Sequence, residues 1–152
     1  MKNYLLIVVL CTMLICPKTP QSPGWRGIIP LHSTREDVEK LFGKPNVGES
    51  SYDIDGQRIT FLYTREPCRS TEWNVPRDTV FSIITVPPKR TTYEKLEIDK
   101  SGFEHHQDPE LKWVETYVNE LTGVVVEVNN GIVSTISYEA AKEDEHLMCK
   151  SL

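Results

Sequence analysis

The sequence predicts an α+β domain in which a short amphipathic helix packs on an antiparallel β-sheet of about six strands, arranged as a hairpin and a C-terminal meander. Three observations carry this. Residues 33–45 hold an apolar stripe between helix-start and helix-stop signals. Two long stretches alternate apolar and polar side chains, and the dipeptides Asp55-Gly56, Thr122-Gly123 and Asn130-Gly131 sit between the alternating runs. Turns this short join antiparallel neighbours.

The chain opens with a polar start, Met1-Lys2-Asn3-Tyr4, followed by residues 5–16, which are apolar except for Thr12. That is a signal-peptide profile. The run stops at Pro17-Lys18, well short of the roughly 20 apolar residues that a spanning helix needs. Cleavage is expected near Ser22, which divides the chain into a signal peptide (1–22), a single α+β domain (23–139) and a charged C-terminal tail (140–152). A second reading has a lipid attached at Cys16, although Ile15 and Pro17 depart from the small-residue pattern of such sites.

The formal charge of −5 becomes more negative once Lys2 and Lys18 leave with the leader. An acidic domain repels phosphate backbones, so nucleic acid is not expected as a partner, and membrane contact is expected only through the leader or a lipid on Cys16. Of the four cysteines, Cys68 and Cys149 lie beyond the leader. An oxidising compartment allows them to pair. The alternative, a free Cys68 in an apolar setting with a loose Cys149, stays open. No Cys-x-x-Cys motif supports redox catalysis.

Residues 17–24 read as a proline-rich linker and Trp25 as the start of the domain. In 33–45, Ser33 and Glu36 have capping-box spacing, Glu36 and Asp37 suit the helix start, and Gly43 and Pro45 stop it. Val38, Leu41 and Phe42 share one face, which a sheet must cover. Tyr52 and Ile54 lead into the Asp55-Gly56 hairpin turn, and Ile59, Phe61 and Tyr63 continue one face of the return strand, with Arg58, Thr60 and Leu62 on the other. After a looser stretch, 64–78, residues 79–86 read as a central strand ended by Pro87-Pro88. Residues 89–108 show no sustained period and read as loop, apart from a helical turn or edge strand at 93–98. Three meander strands follow at 113–121, 124–128 and 132–138. The tail carries Glu143-Asp144-Glu145, expected to be a solvated end.

Candidate chemistry is sparse. Glu104, His105, His106 and Asp108 are ligand-type residues, but adjacent histidines point apart and no His-Glu-x-x-His helix supports them, so an exposed polar loop and no metal are expected. Cys68 could serve as a nucleophile only if a histidine and a carboxylate gathered around it. The glycines are explained by turns and a helix stop, so neither nucleotide use nor any other cofactor is expected. Trp25, Trp73 and Trp113 are expected in the core rather than on a binding surface. For binding, the mid-chain loop is favoured, with Trp73, Arg77 and Asp78 as the candidate contacts.

The segment Ile29-Pro30-Leu31-His32-Ser33-Thr34-Arg35-Glu36-Asp37-Val38-Glu39-Lys40-Leu41-Phe42-Gly43-Lys44-Pro45 resembles the helix of the SmpA/OmlA family of outer-membrane assembly lipoproteins and of the related β-lactamase-inhibitor-like fold. The chain is also similar to exported bacterial proteins with a Trp25-Arg26-Gly27-Ile28 start and a Trp73-Asn74-Val75-Pro76-Arg77-Asp78 segment. The resemblance implies a helix packed on an antiparallel sheet and a domain that works by binding other proteins. Together these readings lead to the expectation of an exported, non-catalytic interaction module of the bacterial cell envelope, periplasmic or extracellular, whose partner is another envelope protein. An envelope-anchored structural lipoprotein and a small extracytoplasmic Cys/His-dependent enzyme are the alternatives.

Overall fold

A computed structural model describes residues 24–150 of the 152-residue chain. The expected signal peptide at 1–22 and the candidate lipidation site Cys16 therefore lie outside the described residues. Among the described residues, no helix is long and apolar enough to cross a membrane.

One antiparallel sheet organises the domain. Its strands are β1 (Ser51–Ile54), β2 (Gln57–Tyr63), β3 (Val80–Val86), β4 (Glu104–Gln107), β5 (Val114–Asn119), β6 (Val124–Asn129) and β7 (Ile132–Tyr138). They lie in the order β1-β2-β3-β7-β6-β5-β4. The sheet has seven strands where the sequence predicts about six, and the additional one is β4, inside the stretch read as loop. Its Glu-His-His-Gln sequence is exposed throughout. β4 is held by pairing with β5, from Glu104 opposite Val118 to Gln107 opposite Glu115. Residues 79–86 do form a central strand, with β3 between β2 and β7.

The α-helix of the described residues, α1 (Arg35–Phe42), starts one residue later than the sequence suggests. Thr34, not Ser33, is the N-cap: its hydroxyl accepts from the Asp37 N–H, and the Asp37 carboxylate accepts in return from the Thr34 N–H at 2.8 Å. The segment offers a capping pair at both Ser33/Glu36 and Thr34/Asp37. Ser33 is instead buried, where its hydroxyl accepts from the Ile29 N–H at 2.9 Å. At the far end Gly43, at φ 78°, donates its N–H to the Glu39 carbonyl. This is a backbone turn that a side chain would strain.

The helix and the N-terminal segment cover one face of β1, β2 and β3. Val38, Trp25 and Ile28 are buried there with Tyr52, Ile59, Phe61 and Ile83, and Phe42 packs against them. The aromatic rings meet at centroid distances of 5.5 Å for Trp25–Phe42 and for Tyr52–Phe61. Leu41, expected on the same apolar stripe, is 56 % exposed, because Val38 and Phe42, four residues apart, make the line that meets the sheet and Leu41 lies about 100° around the helix from Phe42. A second cluster, Val124, Val126, Val128, Val133 and Ile136, is covered by Tyr93, Leu96, Ile98 and Phe103 from the loop before β4, and Tyr138 touches both clusters.

The C-terminal segment corrects a further expectation. Residues Lys142–Leu147 form a 3₁₀ helix, and Asp144 is buried while its acidic neighbours Glu143 and Glu145 are exposed. Cys68 and Cys149 are joined in a disulfide across 81 residues, which resolves the alternatives left open by the sequence. Of the tryptophans expected in the core, Trp25 is buried, Trp73 is half-buried and Trp113 is exposed.

Candidate functional site: a groove on the second sheet face

The face of the sheet turned away from α1 is polar over much of its area, with Thr60, Glu127 and Thr135 among its side chains. It carries an apolar floor near the ends of β2 and β3. A bulge makes that floor. Tyr63 pairs with Val80, but the next pair is Leu62 with Ser82, so Phe81 is the extra residue on β3. Bulges re-aim side chains, and here Phe81 joins Leu62 in lining the groove.

Residues 64–78 leave the sheet at this bulge and return to it. Thr64 donates its N–H to the Thr79 carbonyl at 2.8 Å and accepts from the Asp78 N–H at 2.7 Å, closing the base of the loop. Within it, the Ser70 hydroxyl accepts from the N–H groups of Arg65 and Glu66 and donates to the Glu66 carbonyl. The loop then meets the C-terminal segment as a short ribbon: Asn74 N–H donates to the Leu147 carbonyl and Cys149 N–H to that of Glu72, each at 2.8 Å. The disulfide fixes the same junction. This loop and the tail together form a wall along the groove.

Three adjoining concavities make up the groove. The first, about 670 Å³, wraps the end of β2, from Arg35, Glu49 and Tyr63 on the α1 side, past Thr64, Arg65, Arg77 and Asp78, to the Leu62–Phe81 floor. The second, about 480 Å³, shares Leu62, Ser70 and Phe81 with the first and adds Ile84, Glu72, Trp73 and Glu139. A third of about 230 Å³ shares Trp73 and Glu139 with the second. Of the residues predicted from the sequence, Arg77 and Asp78 thus line one end and Trp73 stands between the second and third concavities.

The two ends differ in charge. Asp78 bridges two guanidinium groups, with Oδ1 3.1 Å from Arg35 Nε and Oδ2 3.8 Å from Arg77 Nε. Arg35 also lies 3.9 Å over the Tyr63 ring, a cation–π contact. Burial pushes the Tyr63 phenol well above its usual range, so it stays a neutral hydroxyl. At the other end, burial raises the Glu139 carboxyl pKa, and the charges of Glu72 and Glu127 raise it further.

The residues that sequence reasoning missed here are Arg35, Arg65, Leu62, Phe81, Glu72 and Glu139. Arg35 reads as a helix start and Phe81 as half of a two-sided strand; only the fold brings them together. The other candidate chemistry lies elsewhere. His105 and His106 are exposed on edge strand β4, where His105 Nε2 is 2.9 Å from Glu115 Oε2. The Cys68 sulfur is committed to Cys149. Among the described residues, no three His, Cys, Asp or Glu side chains gather in a way that could hold a metal ion.

No protein-family model matches the chain, and no curated protein matches it. Among solved structures, it is similar to the crystal structure of a DUF4309 family protein (YjgB) from Bacillus subtilis. The TM-score is 0.50 at 17% sequence identity, over 76% of this chain and 83% of that one. The likeness is one of fold. It supports a mostly-sheet α+β architecture and carries nothing about the groove.

Proposed function

We propose that this chain is an exported, non-catalytic interaction module of the bacterial cell envelope that takes an extended segment of a partner protein into the groove. The observation that carries the reading is the groove itself. It is a run of adjoining open concavities with an apolar floor and a wall pinned by a disulfide. Small-molecule sites enclose most of their ligand, whereas an open trough along a sheet suits an extended polypeptide. Affinity would come chiefly from Trp73, the side-chain type that most often anchors interfaces, with Leu62 and Phe81 adding apolar contact area. Export is supported by the leader-like residues 1–22 and by the disulfide, which persists in oxidising compartments.

A photo-crosslinking residue placed at Thr71, which lines the groove, tests this in an exporting bacterial host. A discrete protein adduct is expected from position 71, and none from a control at Lys44, exposed beyond the far end of α1 and outside the groove lining. Equal labelling from both positions, or none from Thr71 in folded protein, would overturn the reading. Intact mass of the recovered chain, starting near Pro23 and gaining two hydrogens on reduction, reports the compartment independently.

A further inference from the structure

We infer that the arginine end of the groove binds a carboxylate of the incoming segment, which gives the site a fixed polarity; this rests on the groove being a polypeptide site. Arg35, Arg65 and Arg77 line one concavity against only two carboxylates, Glu49 and Asp78. This is a local excess of positive charge on a chain whose formal charge is −5.

The three guanidinium groups are not equally committed. Arg35 is engaged by Asp78, the Glu49 carbonyl and the Tyr63 ring. Arg77 reaches Asp78 only at 3.8 Å and its side chain is 78 % exposed. The Arg65 side chain is also exposed and makes no ion pair or side-chain hydrogen bond among the described residues. Two guanidinium forks are therefore available at the mouth, and a planar fork matches a carboxylate with paired hydrogen bonds. Behind them Thr64 Oγ1 is buried in the same wall without a hydrogen-bond partner among the described residues. Buried hydroxyls are normally satisfied, so this end retains unused hydrogen-bonding capacity.

The opposite end has the reverse sign. Glu72 and Glu139 line the second concavity, and the third adds Glu120 and Glu145 against one cation, Lys142. A segment that puts an acid at the arginines runs its chain over Leu62 and Phe81 toward these glutamates, so an acid at its other end is disfavoured. The charges select direction as well as composition.

Selection of the full oxidised protein against a displayed library of extended random peptides tests the inference. Enrichment of Asp or Glu at one end of the selected peptides is expected. A winning peptide should bind roughly tenfold more tightly than its twin carrying Gln or Asn in place of the acid, with the gap closing as salt rises. Arg65→Gln combined with Arg77→Gln should abolish that gap, so that the acidic peptide and its neutral twin bind the variant alike; both side chains are exposed, and the intact disulfide mass checks folding. Selected peptides without acidic bias would overturn the carboxylate inference and leave the groove reading standing. No selection of any peptide would overturn both. A shift of the Arg65 and Arg77 Nε resonances by inorganic phosphate in that case would reassign the arginines to a free anion.

Discussion

His32 Nε2 lies 2.8 Å from Asp144 Oδ1, joining the turn before α1 to the C-terminal segment across 112 residues of chain. The carboxylate side is 2 % exposed and the imidazole 50 %. The other oxygen, Oδ2, accepts from the Ala141 N–H at 3.3 Å, so one side chain both starts the 3₁₀ helix and docks it. Losing both bonds in Asp144→Ala is expected to cost about 2 kcal/mol, the scale of hydrogen bonds made to a buried carboxylate. His32→Ala should cost less, because the ring is half in water. Thermal unfolding of the two variants checks the order; an unchanged midpoint for Asp144→Ala would remove Asp144 from the docking contact.

The disulfide makes a separate prediction. It closes a loop with a sequence separation of 81, and in the chain-entropy account a loop of that length contributes about 4.5 kcal/mol. Cys68→Ser with Cys149→Ser is expected to lower denaturant stability by that order. It should also shift Trp73 emission to the red, since the ribbon holding Trp73 beside Met148 loses its covalent tie. A double variant matching the parent in both readouts would show that backbone pairing alone holds the wall.

Much of the fold was legible because local patterns and tertiary contacts agree. The alternation of Ile59, Phe61 and Tyr63 and the Asp55-Gly56, Thr122-Gly123 and Asn130-Gly131 turns each lie where strands begin or end. What escaped depends on partners distant in sequence. β4 has no apolar alternation, because its stability comes from backbone pairing with β5 rather than from a buried face. Asp144 looks like one of three solvated acids until His32 is placed beside it. At the groove, Trp73, Arg77 and Asp78 were legible as a loop, but Arg35 and Glu139 come from α1 and from beyond β7, and Phe81 is aimed there by a bulge no single-strand pattern reveals.

Glu139 gives a pH prediction with a definite sign. Burial raises its folded-state pKa above the ordinary glutamate value of 4.5, with Glu72 and Glu127 adding to the effect. In the unfolded chain it titrates normally, so the folded form holds the proton more tightly. This contribution to stability is full below the ordinary value and is lost as pH rises through the raised one. Glu139→Gln removes the loss. It should therefore stabilise the domain at neutral pH and have little effect in acid. Denaturation midpoints across pH measure the difference, and superimposable curves for parent and variant would rule out the effect.

Two aromatic positions on or beside β5 should respond in opposite ways. Tyr117 is stacked between Tyr93, at 3.7 Å and 8°, and His105, at 4.7 Å, and its hydroxyl donates to Glu115 at 3.2 Å. Tyr93 in turn packs on the second core cluster. Truncation in Tyr117→Ala removes the middle of this stack and is expected to cost about 2–3 kcal/mol, the sum of lost burial and aromatic contact. It should also release the loop at 93–103 from the sheet, which faster exchange of the hydrogen-bonded Lys95 and Leu96 amides would report. Trp113, four residues earlier, is 51 % exposed, and Trp113→Ser should change stability by no more than about 0.5 kcal/mol. If Trp113→Ser proved the costlier of the two, the stack would not be what holds this loop on the sheet, and the exposed indole would have to pack on it instead.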